Sequence, residues 1–232
     1  MNWNVRKAAQ ILRMEENELL RLAKTGEIPA VRVNDQFMFN SVELHEWGSV
    51  HHHRVLPEVS RPNEAHADLH RLGAAIERGG VHYDLEGTSS DEVLCAVSQL
   101  PTIPEGVDRA LLSQVLRARE SLSSTGIGSG VAIPHPRDPL VFHISSPAIL
   151  LCFLAQPVDF KAIDGQPVRT LFTIISPTVP LHLQMLARLA FALHDEALNH
   201  LLLQQAPCDA LLARIQVLEE HMDEALTAGP AK

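Results

Sequence analysis

Aromatic residues make up only 4% of this 232-residue chain, with two tryptophans and one tyrosine. A core must therefore be built mainly from Leu, Ile, Val and Ala. Cysteine is scarce as well: Cys95, Cys152 and Cys208 are widely spaced, odd in number and form no Cys-x-x-Cys pair. That speaks against a disulfide framework or a zinc ribbon and for free thiols in a reducing compartment. No apolar run approaches the ~20 residues of a membrane helix. The opening Met1-Asn2-Trp3-Asn4-Val5-Arg6-Lys7 lacks the apolar stretch of a signal peptide. These absences predict a cytoplasmic protein without a membrane partner. Positive charge is in deficit too. A formal net charge of −9 argues against broad, unaided binding to nucleic acid, but leaves room for one small domain that binds DNA as a dimer.

What is present falls into two unlike parts. Residues 1–48 read as a compact domain, 49–63 as a linker, 64–222 as a larger α/β domain and 223–232 as a tail. In the first, Val5, Ala8, Ala9, Ile11 and Leu12 have helical spacing. A second helix is predicted from about Glu15 to Lys24, ended by Gly26 and kept from resuming by Pro29. Ala30–Val33 and Gln36–Phe39 read as a hairpin around Asn34-Asp35, and Ser41 as the cap of a last helix carrying Val42, Leu44 and Trp47. This order resembles the excisionase-like or MerR-like winged helix-turn-helix. The matching residues are Val5–Leu12, Gly26-Glu27-Ile28-Pro29-Ala30-Val31-Arg32-Val33 and Leu44-His45-Glu46-Trp47. The resemblance implies DNA binding, with the second helix in the major groove. The candidate contacts are Arg6, Lys7, Arg13, Arg21, Lys24 and Arg32. Seven acids (Glu15, Glu16, Glu18, Glu27, Asp35, Glu43 and Glu46) outnumber these six cations. A domain that kept the fold and now binds protein stands as the alternative.

The linker contains His51, His52 and His53, whose consecutive side chains diverge too far to share one metal. His66 and His70 have chelating i, i+4 spacing, but no acidic or cysteine partner is suitably spaced. A solvated face is expected there, and neither a metal nor a cofactor is called for.

The α/β part carries the most informative stretch, Gly130-Val131-Ala132-Ile133-Pro134-His135-Pro136-Arg137. Each proline has a fixed φ and pushes the residue before it toward extended geometry, so His135 is held at a defined angle. Upstream lies Ser123-Ser124-Thr125-Gly126-Ile127-Gly128-Ser129-Gly130. Its glycines permit a backbone that aims N–H groups at a small anion. No Gly-Lys-Ser/Thr follows, so it is not a nucleotide P-loop. The bland alternative is a turn histidine with a satisfied hydrogen bond. Around this stretch, helices are predicted at Glu64–Arg78, after the capping box Ser89-Ser90-Asp91-Glu92, and at Asp108–Glu120, Leu181–His194, Glu196–Gln204 and Cys208–Glu220. Strands are predicted at Gly130–Ile133, Ala148–Leu154 and Val168–Ile175, all apolar as in a sheet covered on both faces.

This part resembles an enzyme IIA domain of the phosphotransferase system, of the fructose/mannitol group, and among these the nitrogen-regulatory IIA-like proteins. The resemblance rests on Arg119-Glu120 through Pro134-His135, on Val158–Val168 with its Asp164-Gly165 turn, and on Pro180-Leu181-His182-Leu183-Gln184-Met185-Leu186-Ala187. It implies an α/β fold with a mixed β-sheet flanked by helices. It also implies that His135 takes a phosphoryl group from HPr or its nitrogen-branch paralogue, and that His182 orients the first histidine or contacts its phosphate. Arg119 would contact the phosphate as well, and Thr125, Gly126 and Gly128 would form the adjoining loop. Ser123 stands where relatives often have glycine. Two bland readings stay open: Arg119 offsetting a helix dipole, and His182 packing only. His143, His194, His200 and His221 lack motif support and read as surface or capping residues.

With neither a IIB domain nor membrane segments, the expected function is a bacterial regulator, a phosphocarrier coupled to a helix-turn-helix-like domain. The alternatives are a transport component that hands phosphate to a separate IIB protein, and a phosphorylation-silent binding module.

Overall fold

The computed structural model describes residues 2–12, 14–33, 36–40, 43–44, 47–48, 69–136, 142 and 144–227. Two compact units are distinguished, Met1–Arg61 and Pro62–Lys232. Arg13, Asn34-Asp35, Ser41, Val42, the 49–63 linker with its histidines, His66, Arg137 and His143 lie outside the described residues.

The first unit opens with β1 (Asn2–Asn4), followed by α1 (Val5–Leu12), α2 (Glu16–Thr25), β2 (Val31–Val33) and β3 (Gln36–Asn40). The strands form one antiparallel sheet in the order β1-β3-β2. α1 contributes Ala8, Ala9, Ile11 and Leu12 to the core, and α2 contributes Leu19, Leu22 and Ala23. Trp3 and Phe39, paired across β1 and β3, are buried with them. α2 ends at Gly26, whose left-handed conformation lets its N–H bond back to the Leu22 carbonyl. The Trp47 indole N–H donates to the Glu27 carbonyl at 2.6 Å, tying residue 47 to the turn after α2. Val5, which shares the helical spacing of Ala8, Ala9, Ile11 and Leu12, is only half-buried.

The second unit comprises α3 (Leu72–Gly79), β4 (Val81–Leu85), α4 (Ser90–Ser98), α5 (Arg109–Leu122), β5 (Gly126–Gly128), β6 (Val131–Ala132), β7 (Ala148–Val158), β8 (Val168–Ile175), α6 (Val179–Ala192), α7 (Glu196–Leu203) and α8 (Cys208–Thr227). Its sheet order is β4-β7-β8-β6-β5. β4 runs parallel to β7 and β6 parallel to β8, whereas β7/β8 and β5/β6 are antiparallel. The sheet is therefore mixed. Successive side chains on a strand point to opposite faces, and both faces of the central pair are covered. Ile149, Leu151, Phe153, Phe172 and Ile174 join α3, α6, α7 and α8 on one side. Leu150, Cys152, Leu154, Leu171 and Ile175 join α4 and α5 on the other. Fully burying such a side chain contributes about 1.5–3 kcal/mol, so this central pair dominates the unit. The Cys152 thiol shows the dryness of that layer, because burial pushes its pKa up to about 12.

Local signals set the helix starts. Ser89 Oγ accepts the Glu92 N–H at 3.2 Å, and the Glu92 carboxylate accepts the Thr88 N–H at 2.8 Å. Asp108, Thr178 and Asp195 cap α5, α6 and α7 in the same way.

Three boundaries differ from the sequence expectation by more than two residues. Among the described residues, the helix expected from Glu64 begins at Leu72. β7 runs past Leu154 to Val158. The last helix extends to Thr227, so residues 223–227, placed in a tail from sequence, are helical. An ion cluster anchors the start of that extension: buried Arg188 on α6 bonds buried Glu219 at 3.3 Å and partly exposed Asp223 at 2.8 Å, both on α8. Glu219 also caps α3 across space, accepting the Leu72 N–H at 2.5 Å and the Gly73 N–H at 3.3 Å. Replacing Glu219 by Ala leaves Arg188 with Asp223 alone and strips the cap. The expected loss is about 3 kcal/mol of stability, read as an earlier midpoint in urea at unchanged slope.

Candidate functional site

The elements that carry His135 and His182 meet at β8. Beyond β6 the chain stays aligned with that strand: the Ile174 N–H donates to the Pro134 carbonyl at 3.0 Å. On the other side of the same segment, the Ile133 N–H donates to the Thr125 carbonyl at 3.0 Å. His135 thus follows a backbone held from two sides, between two prolines, and is only 2% exposed. Its Nδ1 lies 2.7 Å from the Ile133 carbonyl oxygen. A carbonyl only accepts, so Nδ1 carries the proton. The lone pair of the neutral ring is then on Nε2.

His182 lies in the first turns of α6, its N–H bonded to the Thr178 carbonyl at 3.0 Å. Its ring is fully buried, and its centroid stands 5.1 Å from that of His135, with the planes inclined by 49°. Two histidines far apart in sequence are thereby brought into one site.

Arg119 is buried in the last turn of α5, where Nη1 donates to the Ser123 carbonyl at 2.8 Å and to Ser123 Oγ at 3.1 Å. These bonds close off the C-terminus of α5. Ser123 is thus one of the groups that place the guanidinium.

The glycine-spaced run forms the edge hairpin β5–β6, and several of its N–H groups are already committed to protein acceptors. Thr125 N–H donates to the Glu120 carboxylate, Gly126 N–H to Ser124 Oγ at 2.9 Å and Ser129 N–H to Asp164 Oδ2 at 2.8 Å. The glycines serve close approach. A Cβ on Gly126 would come within 2.8 Å of Ala162 Cβ, and one on Gly128, at φ +97°, within 3.1 Å of Asp164 Oδ2. Asp164, expected only to make a tight turn, thus anchors the hairpin. Its carboxyl is held below the usual range by the N–H groups of Gln166 and Ser129.

Glu120 is the residue whose role sequence reasoning missed. Both its carboxylate oxygens accept the Thr125 N–H, at 3.0 and 3.2 Å, and Oε2 accepts the Thr125 hydroxyl at 2.5 Å. Burial raises its carboxyl above the ordinary carboxylate range; the Thr125 bonds and the Arg119 charge oppose that shift without cancelling it. Its place beside Arg119 was visible, but no local rule links a glutamate to the threonine five positions on.

His194, His200 and His221 are exposed, and the His194 ring, just past the end of α6, bonds the Ala190 carbonyl of that helix at 2.7 Å. His70 contacts Gln184. Among the described residues, no group of three or more His, Cys, Asp or Glu is placed to hold a metal ion, and no helix is long and apolar enough to cross a membrane.

The family described as "Phosphoenolpyruvate-dependent sugar phosphotransferase system, EIIA 2" matches residues 75–217. A nitrogen regulatory protein of Pseudomonas aeruginosa is 36% identical over 151 residues, which cover 63% of this chain and 95% of that protein. The fructose-specific EIIABC component of Bacillus subtilis is 35% identical over 116 residues, which cover 49% of this chain but 17% of that protein. The crystal structure of nitrogen regulatory protein IIA-Ntr from Neisseria meningitidis superimposes with a TM-score of 0.54 at 26% identity, covering 62% of this chain and 98% of that one. IIA mannitol from Escherichia coli shares the fold, with a TM-score of 0.50 at 19% identity over 58% of this chain and 94% of that one. The chain belongs to the EIIA type-2 family of the phosphotransferase system.

The packing at Gly126 makes a direct prediction. Gly126→Ala forces a Cβ against Ala162. The expected cost is about 1–3 kcal/mol, with NMR shift changes concentrated in the segment around Ala162.

Proposed function

We propose that this chain is a phosphocarrier with a regulatory role, accepting a phosphoryl group on His135 from HPr or its nitrogen-branch paralogue. The observation that carries this reading is the Nδ1–H···O=C bond to Ile133, which leaves the neutral ring its lone pair on Nε2. In transfer, Nε2 attacks phosphorus, the new N–P bond forms and the N–P bond of the donor's phosphohistidine breaks. The lone pair released returns to the donor ring. Bonds of the same type are exchanged, so the reaction is near thermoneutral and reversible, as suits a relay. Catalysis then rests on position and charge stabilisation. His182, with its ring 5.1 Å away, orients His135 or donates to a phosphoryl oxygen, and Arg119 supplies positive charge. Thr125, Gly126 and Gly128 form the adjoining loop, in which the Thr125 carbonyl accepts the Ile133 N–H two residues before His135. No cofactor is needed.

The regulatory side is supported by the nitrogen regulatory relatives. The match to a fructose-specific EIIABC component favours a second reading, in which a separate IIB protein receives the phosphate. The test is acid-labile phosphate incorporation from phosphoenolpyruvate, with enzyme I and HPr-type carriers supplied. Wild type takes label, His135→Ala takes none, and His182→Ala takes it more slowly. Absence of label on wild type with every carrier leaves a binding module with a silent histidine.

For the N-terminal unit we propose an excisionase/MerR-like helix-turn-helix. The order α1, α2 and the β2–β3 hairpin supports it. Arg6, Lys24 and Arg32 are exposed and Lys7 half-buried, but Arg21 is paired with Glu27 at 3.3 Å. Glu15, Glu16 and Glu18 are exposed at the start of α2, where they repel phosphates. If DNA is the partner, a homodimer reads half-sites about one turn, ~34 Å, apart, and affinity falls linearly with log salt. A monomer without salt-dependent affinity assigns this unit to a protein partner.

A further inference from the structure

The His135 ring is positioned by the last link of a chain of contacts that starts at a carboxylate. Glu120, at the end of α5, grips Thr125 through both its N–H and its hydroxyl. The Thr125 carbonyl in turn accepts the Ile133 N–H at 3.0 Å. The Ile133 carbonyl then accepts the proton on His135 Nδ1 at 2.7 Å. We propose that Glu120 is a positioning residue for phosphotransfer, setting through Thr125 and Ile133 the carbonyl that fixes the tautomer and angle of the His135 ring. The proposal rests on His135 being the phosphoryl acceptor.

Three observations make Glu120 more than a packing group. Two donors from one residue converge on it, and an ionised carboxylate is the side chain that accepts from both with no donor of its own. Thr125 is itself almost fully buried, so removal of the carboxylate leaves a buried N–H and hydroxyl to find other partners. Finally, the link is direct: the Ile133 N–H bonds Thr125, whereas the nearest β8 bond of this segment reaches Pro134. A shift of Thr125 therefore reaches the Ile133 carbonyl directly. Rates of transfer are sensitive to ring placement at this scale, since a displacement of about 1 Å can slow a reaction roughly a hundredfold.

The experiment uses the full chain and three variants. Glu120→Ala removes both acceptors, Glu120→Asp keeps the charge but draws the acceptors back by one methylene, and Glu120→Gln keeps the reach and one oxygen. Ring ¹⁵N shifts of His135 are read on folded, unphosphorylated protein, and phosphotransfer rates from an HPr-type carrier are read separately. In the wild type the Nδ1 shift is that of a protonated nitrogen. The expected order of departure is Glu120→Ala greatest, Glu120→Asp intermediate and Glu120→Gln least. Phosphorylation slows in parallel, by about tenfold to a hundredfold for Glu120→Ala. If Glu120→Ala does not fold, Glu120→Asp decides. Wild-type ring shifts and wild-type rates in the folded variants, even with lowered stability, overturn the proposal and make Glu120 purely structural. The ring measurement needs no phosphate donor. A wild-type protein that takes no label therefore overturns the acceptor reading of His135 while the effect of Glu120 on the ring is still read.

Discussion

The antiparallel pairing of β7 with β8 is the constraint from which the second unit follows. Ala148 to Phe153 pairs with Thr170 to Ile175 in continuous register, and the residues on both faces are buried. A slip of one residue would turn each layer's side chains to the opposite layer. With β8 so fixed, its free edge determines where β6 and the Pro134-His135-Pro136 segment lie. Its C-terminal end determines where α6 starts. The encounter of His135 with His182 is thus a consequence of sheet register, because one histidine follows the strand paired to β8 and the other follows β8 itself.

Much of this was legible before any coordinates. β8 occupies the expected Val168–Ile175 because a β-branched and aromatic segment, polar only at Arg169, Thr170 and Thr173, lies between Pro167 and Ser176. The caps at Ser89 and Asp108 were equally readable, since capping is a local interaction of a short polar side chain with the next turn. What was missed lacks such a local signal. β4 reads Val81-His82-Tyr83-Asp84-Leu85, a polar sequence in which Asp84 takes a positive φ, and only pairing with β7 makes it a strand. β1 is three residues, Asn2-Trp3-Asn4, and exists through its bonds to β3. The extension of β7 through Ala155-Gln156-Pro157 was hidden by the end of the apolar run, since those residues are exposed.

The site divides along the same line. Composition and proline geometry singled out His135, whereas His182 and Arg119 emerged through resemblance to a family. Glu120 and Asp164 escaped both as functional groups, because each acts on a backbone N–H whose position depends on how a loop returns. The glycine-rich run taught the opposite lesson. Its residues allow an anion-binding nest, but nearby carboxylates and a hydroxyl have claimed the N–H groups of Thr125, Gly126 and Ser129. Permissive backbone geometry sets what a loop can do, and the acceptors that surround it decide what it does.

The shortage of aromatic residues has an optical consequence. Both tryptophans, Trp3 and Trp47, belong to the first unit, while the sole tyrosine, Tyr83, donates its hydroxyl proton to the Ala206 carbonyl in the second. Indole emission excited at the red edge therefore originates entirely from the N-terminal unit, and phenol emission from the α/β unit. Without any added dye, the chain carries a separate chromophore for each of its two halves, so light of two wavelengths distinguishes an event confined to one from an event felt by both.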